Sequence, residues 1–160
     1  MLKKNLKSAI SALFGALLIV GLAGCSAAGP DAQTRNIRQV TDGVEGTSGS
    51  IKALNVLLVT QEDGSAVLVG TFVNSSETSD AITAITANGI VGEISVSPLD
   101  QYSGPAIFEG DSKNSSARFP GLNAKASDHV ELEISFDNAA PMKLSALVRA
   151  KAAEYANIGN

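Results

Sequence analysis

His129-Val130-Glu131-Leu132-Glu133-Ile134-Ser135-Phe136 is the stretch that decides the fold of this chain. Val130, Leu132, Ile134 and Phe136 share one parity, while Glu131, Glu133 and Ser135 share the other. Successive side chains of a strand point to opposite faces, so this pattern predicts a half-buried strand with a core side and a wet side. Upstream, Ile90, Gly92, Ile94 and Val96 alternate in the same way with Val91, Glu93 and Ser95. Ile51–Val59 and Ala66–Val73 are denser apolar runs, separated by Gln61-Glu62-Asp63-Gly64-Ser65. That separation predicts two strands and a tight turn, in which Asp63-Gly64 supplies the positive φ that a short hairpin needs. Asn88-Gly89, following Ala81–Ala87, is a second such turn signal. Pro98–Pro120 is irregular, with short edge strands expected at Ala106–Glu109 and Ala117–Phe119 around the loop Gly110–Asn114. Downstream, a strand is expected over Met142–Arg149; the helix formers of Ala150–Ala156 leave a terminal helix as the alternative. Some seven short strands with turn chemistry between them predict an all-β domain, an antiparallel sandwich or Greek-key barrel.

Ahead of this domain the chain reads differently. Lys3, Lys4 and Lys7 precede an apolar run from Ala9 to Val20, too short to span a bilayer comfortably, and Leu22-Ala23-Gly24-Cys25 closes it. Small residues before the one cysteine of the chain match a bacterial lipobox. The expectation is a signal peptide over 1–24, cleaved before Cys25, whose thiol then carries lipid and holds the protein on the outer side of a membrane. Residues 25–50, rich in Gly, Ser, Thr and Ala, read as a flexible tether, 51–149 as the β-sandwich domain and 150–160 as a tail.

Composition narrows the function classes. The chain carries 12 Lys and Arg against 16 Asp and Glu; without the three lysines of the signal this becomes 9 against 16, a net charge of −7. That sign argues against nucleic acid as a partner and against electrostatic docking on anionic lipid, leaving the lipid on Cys25 as the membrane contact. A lone, acylated cysteine also excludes disulfides and thiol catalysis.

Catalytic and metal chemistry need convergent groups. The single histidine, His129, shares parity with Glu131 and Glu133 and is expected at the exposed edge of its strand; no Gly-x-Ser-x-Gly elbow accompanies it. Glu131 and Glu133 project from one face as a carboxylate pair, a spacing that equally describes a strand's wet face. Loops Asn74–Asp80 and Gly110–Asn114 are oxygen-rich but lack calcium-loop spacing. Gly43–Gly49 has no strand before it or helix after it to make a phosphate loop. An exposed sheet edge or the Pro98–Pro120 loops are left as surfaces for an envelope protein partner.

The order of lipobox, polar tether, Ile51–Val59, Gly70-Thr71-Phe72-Val73-Asn74 followed by Ser79-Asp80-Ala81-Ile82, and the closing Val130–Phe136 and Met142–Val148 strands resembles a known group. It is similar to the small actinobacterial lipoproteins related to the periplasmic copper chaperones of the PCu(A)C type, over roughly residues 51–149. The resemblance implies a cupredoxin-like Greek-key β-sandwich and the carriage of Cu(I) outside the cytoplasm on two His and two or more Met. Those ligands lie after the fourth strand and in the loop before the penultimate one. Here the corresponding stretches are Ile90–Val96 and Ser115–Phe119, which contain neither His nor Met. The resulting expectation is a lipid-anchored, non-enzymatic binding or accessory module without a cofactor. The alternative is a divergent copper chaperone using His129 and Met142 across a dimer, and a third reading is an enzyme with a carboxylate site.

Overall fold

Alternation becomes burial residue by residue in the strand His129–Phe136: Val130, Leu132, Ile134 and Phe136 lie in the core, while His129 and Glu131 face water. The computed structural model describes residues 42–100 and 102–159. The signal peptide, Cys25 and the tether up to Thr41 lie outside the described residues. In chain order the strands are β1 (Val44–Ser48), β2 (Ile51–Thr60), β3 (Ala66–Asn74), β4 (Ile82–Ala87), β5 (Ile90–Val91), β6 (Glu93–Ser95), β7 (Ala106–Ile107), β8 (Ser116–Phe119), β9 (His129–Phe136) and β10 (Met142–Arg149). A single 3-10 turn follows at Ala153–Tyr155, so the strand reading of Met142–Arg149 holds against the terminal helix.

The ladder runs β5-β4-β9-β10-β2-β3-β8-β6, with β1 beside β2 and β7 beside β3. One layer holds β1, β2, β3, β6, β7 and β8, and the other β4, β5, β9 and β10. Two junctions join the layers into a flattened barrel. On one side β10 and β2 run parallel over two residue pairs, Val148 with Leu58 and Arg149 with Val59, an exception in an otherwise antiparallel fold. On the other side β5 and β6, the two ends of the ladder, are successive pieces of one stretch with Gly92 between them. The alternating Ile90–Val96 segment is thus a strand that changes sheets at a glycine, the usual way such corners are made. A Cβ on Gly92 would lie 2.7 Å from the Phe119 ring, so no larger residue fits the corner.

Between the layers lies an apolar core that includes Phe72, Phe108, Phe119, Leu58, Ile85, Leu132 and Ile134. Phe72 and Phe108 meet edge to face, 5.5 Å between centroids, a geometry that favours the ring quadrupoles. β2 reaches this core with both parities: Ile51 and Ala53 before a bulge, Val56 and Leu58 after it. Asn55 is the residue at the bulge, with φ of 51°, a conformation in which Asn is enriched among non-glycine residues. The β4–β5 turn has Asn88 and Gly89 both at positive φ, as a two-residue hairpin requires.

The ordered domain begins earlier than Ile51. Residues 44–48, read as tether, form β1 and pair antiparallel with β2 from Ser48–Ile51 to Val44–Val56. Glycines that look like linker composition are here contact residues. A Cβ on Gly43 would lie 2.3 Å from the Asn55 carbonyl carbon, and one on Gly46 2.5 Å from Leu144 and 2.9 Å from the Met142 sulfur. β8 also differs from the edge strand expected of it, since β3 and β6 flank it on both sides.

Candidate functional site

β6 and β8 lie side by side in antiparallel register, with Glu93 opposite Arg118, Ile94 opposite Ala117 and Ser95 opposite Ser116. These are short segments of Ile90–Val96 and Ser115–Phe119, far apart in sequence and adjacent in the fold. A cavity of about 400 Å³ opens over them, completed by Val67, Glu109, Lys113 and Gly159. A second cavity of about 430 Å³, lined by Gln61, Glu62, Asp63 and Lys151, shares Arg118 and Gly159 with the first.

The local sequence explains how each polar group is held. The turn at Gly110–Asn114 closes through the Lys113 N–H on the Gly110 carbonyl, 3.1 Å, and brings Lys113 to 3.7 Å from Glu109, whose side chain is only 7% exposed. Asn114 locks the turn to β7: its carboxamide oxygen accepts the Ile107 N–H at 2.8 Å and its amide donates to the Pro105 carbonyl at 2.9 Å. The Asn114 carboxamide, which also accepts the Ser115 hydroxyl at 3.0 Å, is thereby committed to the chain itself. On the other wall Arg118 donates to Asp63 at 2.6 Å. The Ser65 hydroxyl, the Ser65 N–H and this guanidinium together hold the Asp63 carboxyl down to about 2. Both cations of the first cavity are thus engaged by carboxylates, whereas Glu93 is exposed and forms no ion pair among the described residues.

No family model and no curated protein matches the chain. Solved structures do. The copper-bound PCuAC domain from PmoF2 superposes with a TM-score of 0.57 at 18% identity, covering 67% of this chain and 98% of that one. The apo PmoF2 PCuAC domain gives 0.57 at 17%, over 69% and 98%, and the apo PCuAC domain from PmoF1 gives 0.54 at 15%, over 67% and 99%. The chain has the PCuAC fold. The cupredoxin-like β-sandwich implied by the sequence resemblance is therefore what the molecule adopts.

On this PCuAC fold the two stretches that the resemblance assigned to copper ligands do come together, in β6 and β8. What they present is carboxylate, hydroxyl and guanidinium. Cu(I) is soft and takes thioether, thiolate or imidazole, so this donor set does not fit it. Among the described residues no three His, Cys, Asp or Glu side chains gather as a metal site.

His129 and Met142 are not brought together. His129 pairs with Leu147 and Met142 with Ile134, five steps along β10, or roughly 16 Å. His129 is exposed, whereas Met142 is 4% exposed and packed beneath Gly46. A thioether so enclosed does not reach a second chain either. Glu131 and Glu133 do share a face, and Lys143 from β10 stands 3.9 Å and 3.6 Å from them; Glu131 and Lys143 are exposed and Glu133 is half-buried, as on a solvated face.

Asn74 and Asp80, which carry much of the sequence resemblance, have a structural task. The Asn74 carboxamide accepts the Ser50 hydroxyl at 2.8 Å and the Ser76 N–H at 3.0 Å, and donates to the Thr78 and Leu99 carbonyls at 2.8 and 3.0 Å. Asp80 accepts the N–H groups of Ala81, Asp137, Asn138 and Ala139 at 2.8–3.0 Å. Burial raises its pKa, but the four N–H groups outweigh that and hold the carboxyl below the usual range. The oxygen-rich loop Asn74–Asp80 thus spends its acceptors on the chain itself, beside a pocket of about 220 Å³. Sequence reasoning left Pro98–Pro120 as a candidate surface but did not single out the groove residues Glu109, Lys113 and Arg118 within it. No local pattern marks them, because only the β3–β8–β6 order sets them together.

Proposed function

We propose that this protein is a lipid-anchored, extracytoplasmic, non-enzymatic binding module whose recognition surface is the β6–β8 groove and whose ligand is polar. One observation carries the reading. The groove joins the two stretches that the sequence resemblance matched to ligand positions, yet its donors are Glu93, Ser95, Ser116 and Arg118. Hard, charged donors with hydroxyls between them suit a polar ligand or a polar segment of an envelope protein. Anchorage rests on the lipobox at Leu22–Cys25. A membrane-bound module with a short tether meets membrane-bound partners at raised effective concentration, so modest affinity suffices.

The competing reading is a divergent copper chaperone, favoured by the likeness to a copper-bound PCuAC domain. A Cu(I) competition titration under reducing conditions, against a colorimetric chelator, separates the two. Absence of competition is the expected result, and saturable one-to-one binding gives the protein to the chaperone reading. Radiolabelled palmitate on the full chain, lost in Cys25→Ser, tests the anchor.

A further inference from the structure

The segment after β10 buries little, and polar side chains fasten it. The Tyr155 hydroxyl donates to the Asp42 carboxylate at 3.1 Å, the Lys151 ammonium donates to Gln61 at 3.1 Å, and Arg149 at the strand's end pairs with the same Asp42 at 2.6 Å. No residue of its 3-10 turn is buried. Ala153 enters that turn at φ of +52°, a left-handed conformation that strains any residue with a Cβ. At its far end Gly159 lies against the Gln61 carboxamide and forms part of the wall of both cavities.

We infer that Ala150–Gly159 is a strap that peels from an otherwise intact barrel with loss of its own turn, and that its opening joins the two cavities into one groove running from Glu62 to Lys113. Segments with few buried apolar contacts and solvent-exposed fastenings open at free energies well below global unfolding. No residue of the strap's turn is buried, its Tyr155–Asp42 fastening is exposed and its Lys151–Gln61 fastening half-buried, and the left-handed Ala153 adds strain that opening relieves. The groove's long form then appears when Tyr155 lets go of Asp42. The inference deepens the binding-module reading and rests on it for the groove's purpose alone. Opening is read without any ligand, so failure of one is distinguishable from failure of the other.

Hydrogen–deuterium exchange on the full chain tests it, using the Tyr155, Ala156 and Ile158 amides as strap reporters and β9 amides as the measure of global opening. The Tyr155→Phe variant removes the hydroxyl and is expected to speed strap exchange several-fold with β9 unchanged. In Ala153→Gly the positive φ is relieved, and strap exchange is expected to slow by about three- to tenfold. Carbodiimide labelling of Glu109, which shares the first cavity with Gly159, should rise in the first variant and fall in the second. Strap amides that exchange at the β9 rate in all three proteins would overturn the inference. So would Glu109 labelling that does not follow strap exchange.

Discussion

Asp80, just ahead of β4, and Ala139, in the turn between β9 and β10, stand 59 positions apart and are joined by a 2.9 Å hydrogen bond from the Ala139 N–H to the Asp80 carboxylate. Asn138 and Asp137 donate to the same carboxylate at 3.0 Å each. One side chain therefore satisfies most of a hairpin turn that belongs to another part of the sheet. Replacing it by alanine leaves those donors to water or to nothing. Asp80→Ala is expected to destabilise the domain by about 2–3 kcal/mol, since hydrogen bonds to a charged acceptor are among the stronger ones. A urea titration checks this through a lowered midpoint at unchanged slope.

Acid should loosen the domain by the same chemistry. Asp80 and Asp63 both have folded pKa values below those of an unfolded chain, the latter about 2. A depressed carboxyl contributes stability in full above its unfolded pKa, near 3.9, and loses it as pH falls through the folded value. Stability is thus expected to hold near neutrality and to fall between about pH 4 and pH 2. Urea midpoints at intervals over that range measure it. In Asp63→Asn the slope should be shallower, and an unchanged slope would remove Asp63 from the account.

The glycines in and beside β1 give a graded series. Alanine at Gly43 meets backbone of Asn55, which has nowhere to go, whereas alanine at Gly46 meets the side chains of Leu144 and Met142. At Gly49 nothing lies within 4 Å, and only the φ of +57° resists. The expected order of destabilisation is Gly43→Ala first, then Gly46→Ala at about 1–3 kcal/mol, then Gly49→Ala at about 1 kcal/mol. Thermal melts of the three variants read the order directly.

This series also marks where the sequence was legible. β9 follows from its period, and β2, β3, β4 and β10 from apolar runs with turn residues or proline at their ends. β1 is not legible that way: Gly43 just before it and Gly46 within it serve close approach to Asn55, Leu144 and Met142, and nothing local separates that from linker composition. The groove was legible in outline, through the irregular Pro98–Pro120 stretch and through the resemblance that named Ile90–Val96 and Ser115–Phe119, but not in the pairing of Ser95 with Ser116. Glu109 and Lys113 enter through a turn whose position depends on Asn114 reaching back to Ile107 and Pro105.

His129 and Met142 separate surface from core in one experiment. His129→Ala is expected to change stability by less than about 0.5 kcal/mol, because the ring is exposed and surface substitutions are nearly neutral. Met142→Ala, at 4% exposure beneath β1, should cost about 2–4 kcal/mol as a core truncation. Urea midpoints give both values, and comparable losses in the two would mean that the β9–β10 register is wrong.

Ser95 and Ser116 face each other across the β6–β8 ladder, and directly opposed Cβ atoms in an antiparallel pair lie about 4.5–5.5 Å apart. Side chains of that spacing can converge on one small ion if their donors are soft. The PCuAC fold is present, and the mismatch with Cu(I) is one of donor chemistry rather than of backbone. Ser95→Met combined with Ser116→His should therefore create Cu(I) binding that neither single substitution gives, at an affinity at least about tenfold above the parent. Both serines are exposed, so the double variant should melt within a few degrees of it. Chelator competition on the four proteins decides the matter. A double variant that folds and still fails to compete would mean that β6 and β8 do not hold the two side chains in convergent register, and the groove's claim to be the scaffold's binding place would fall with it.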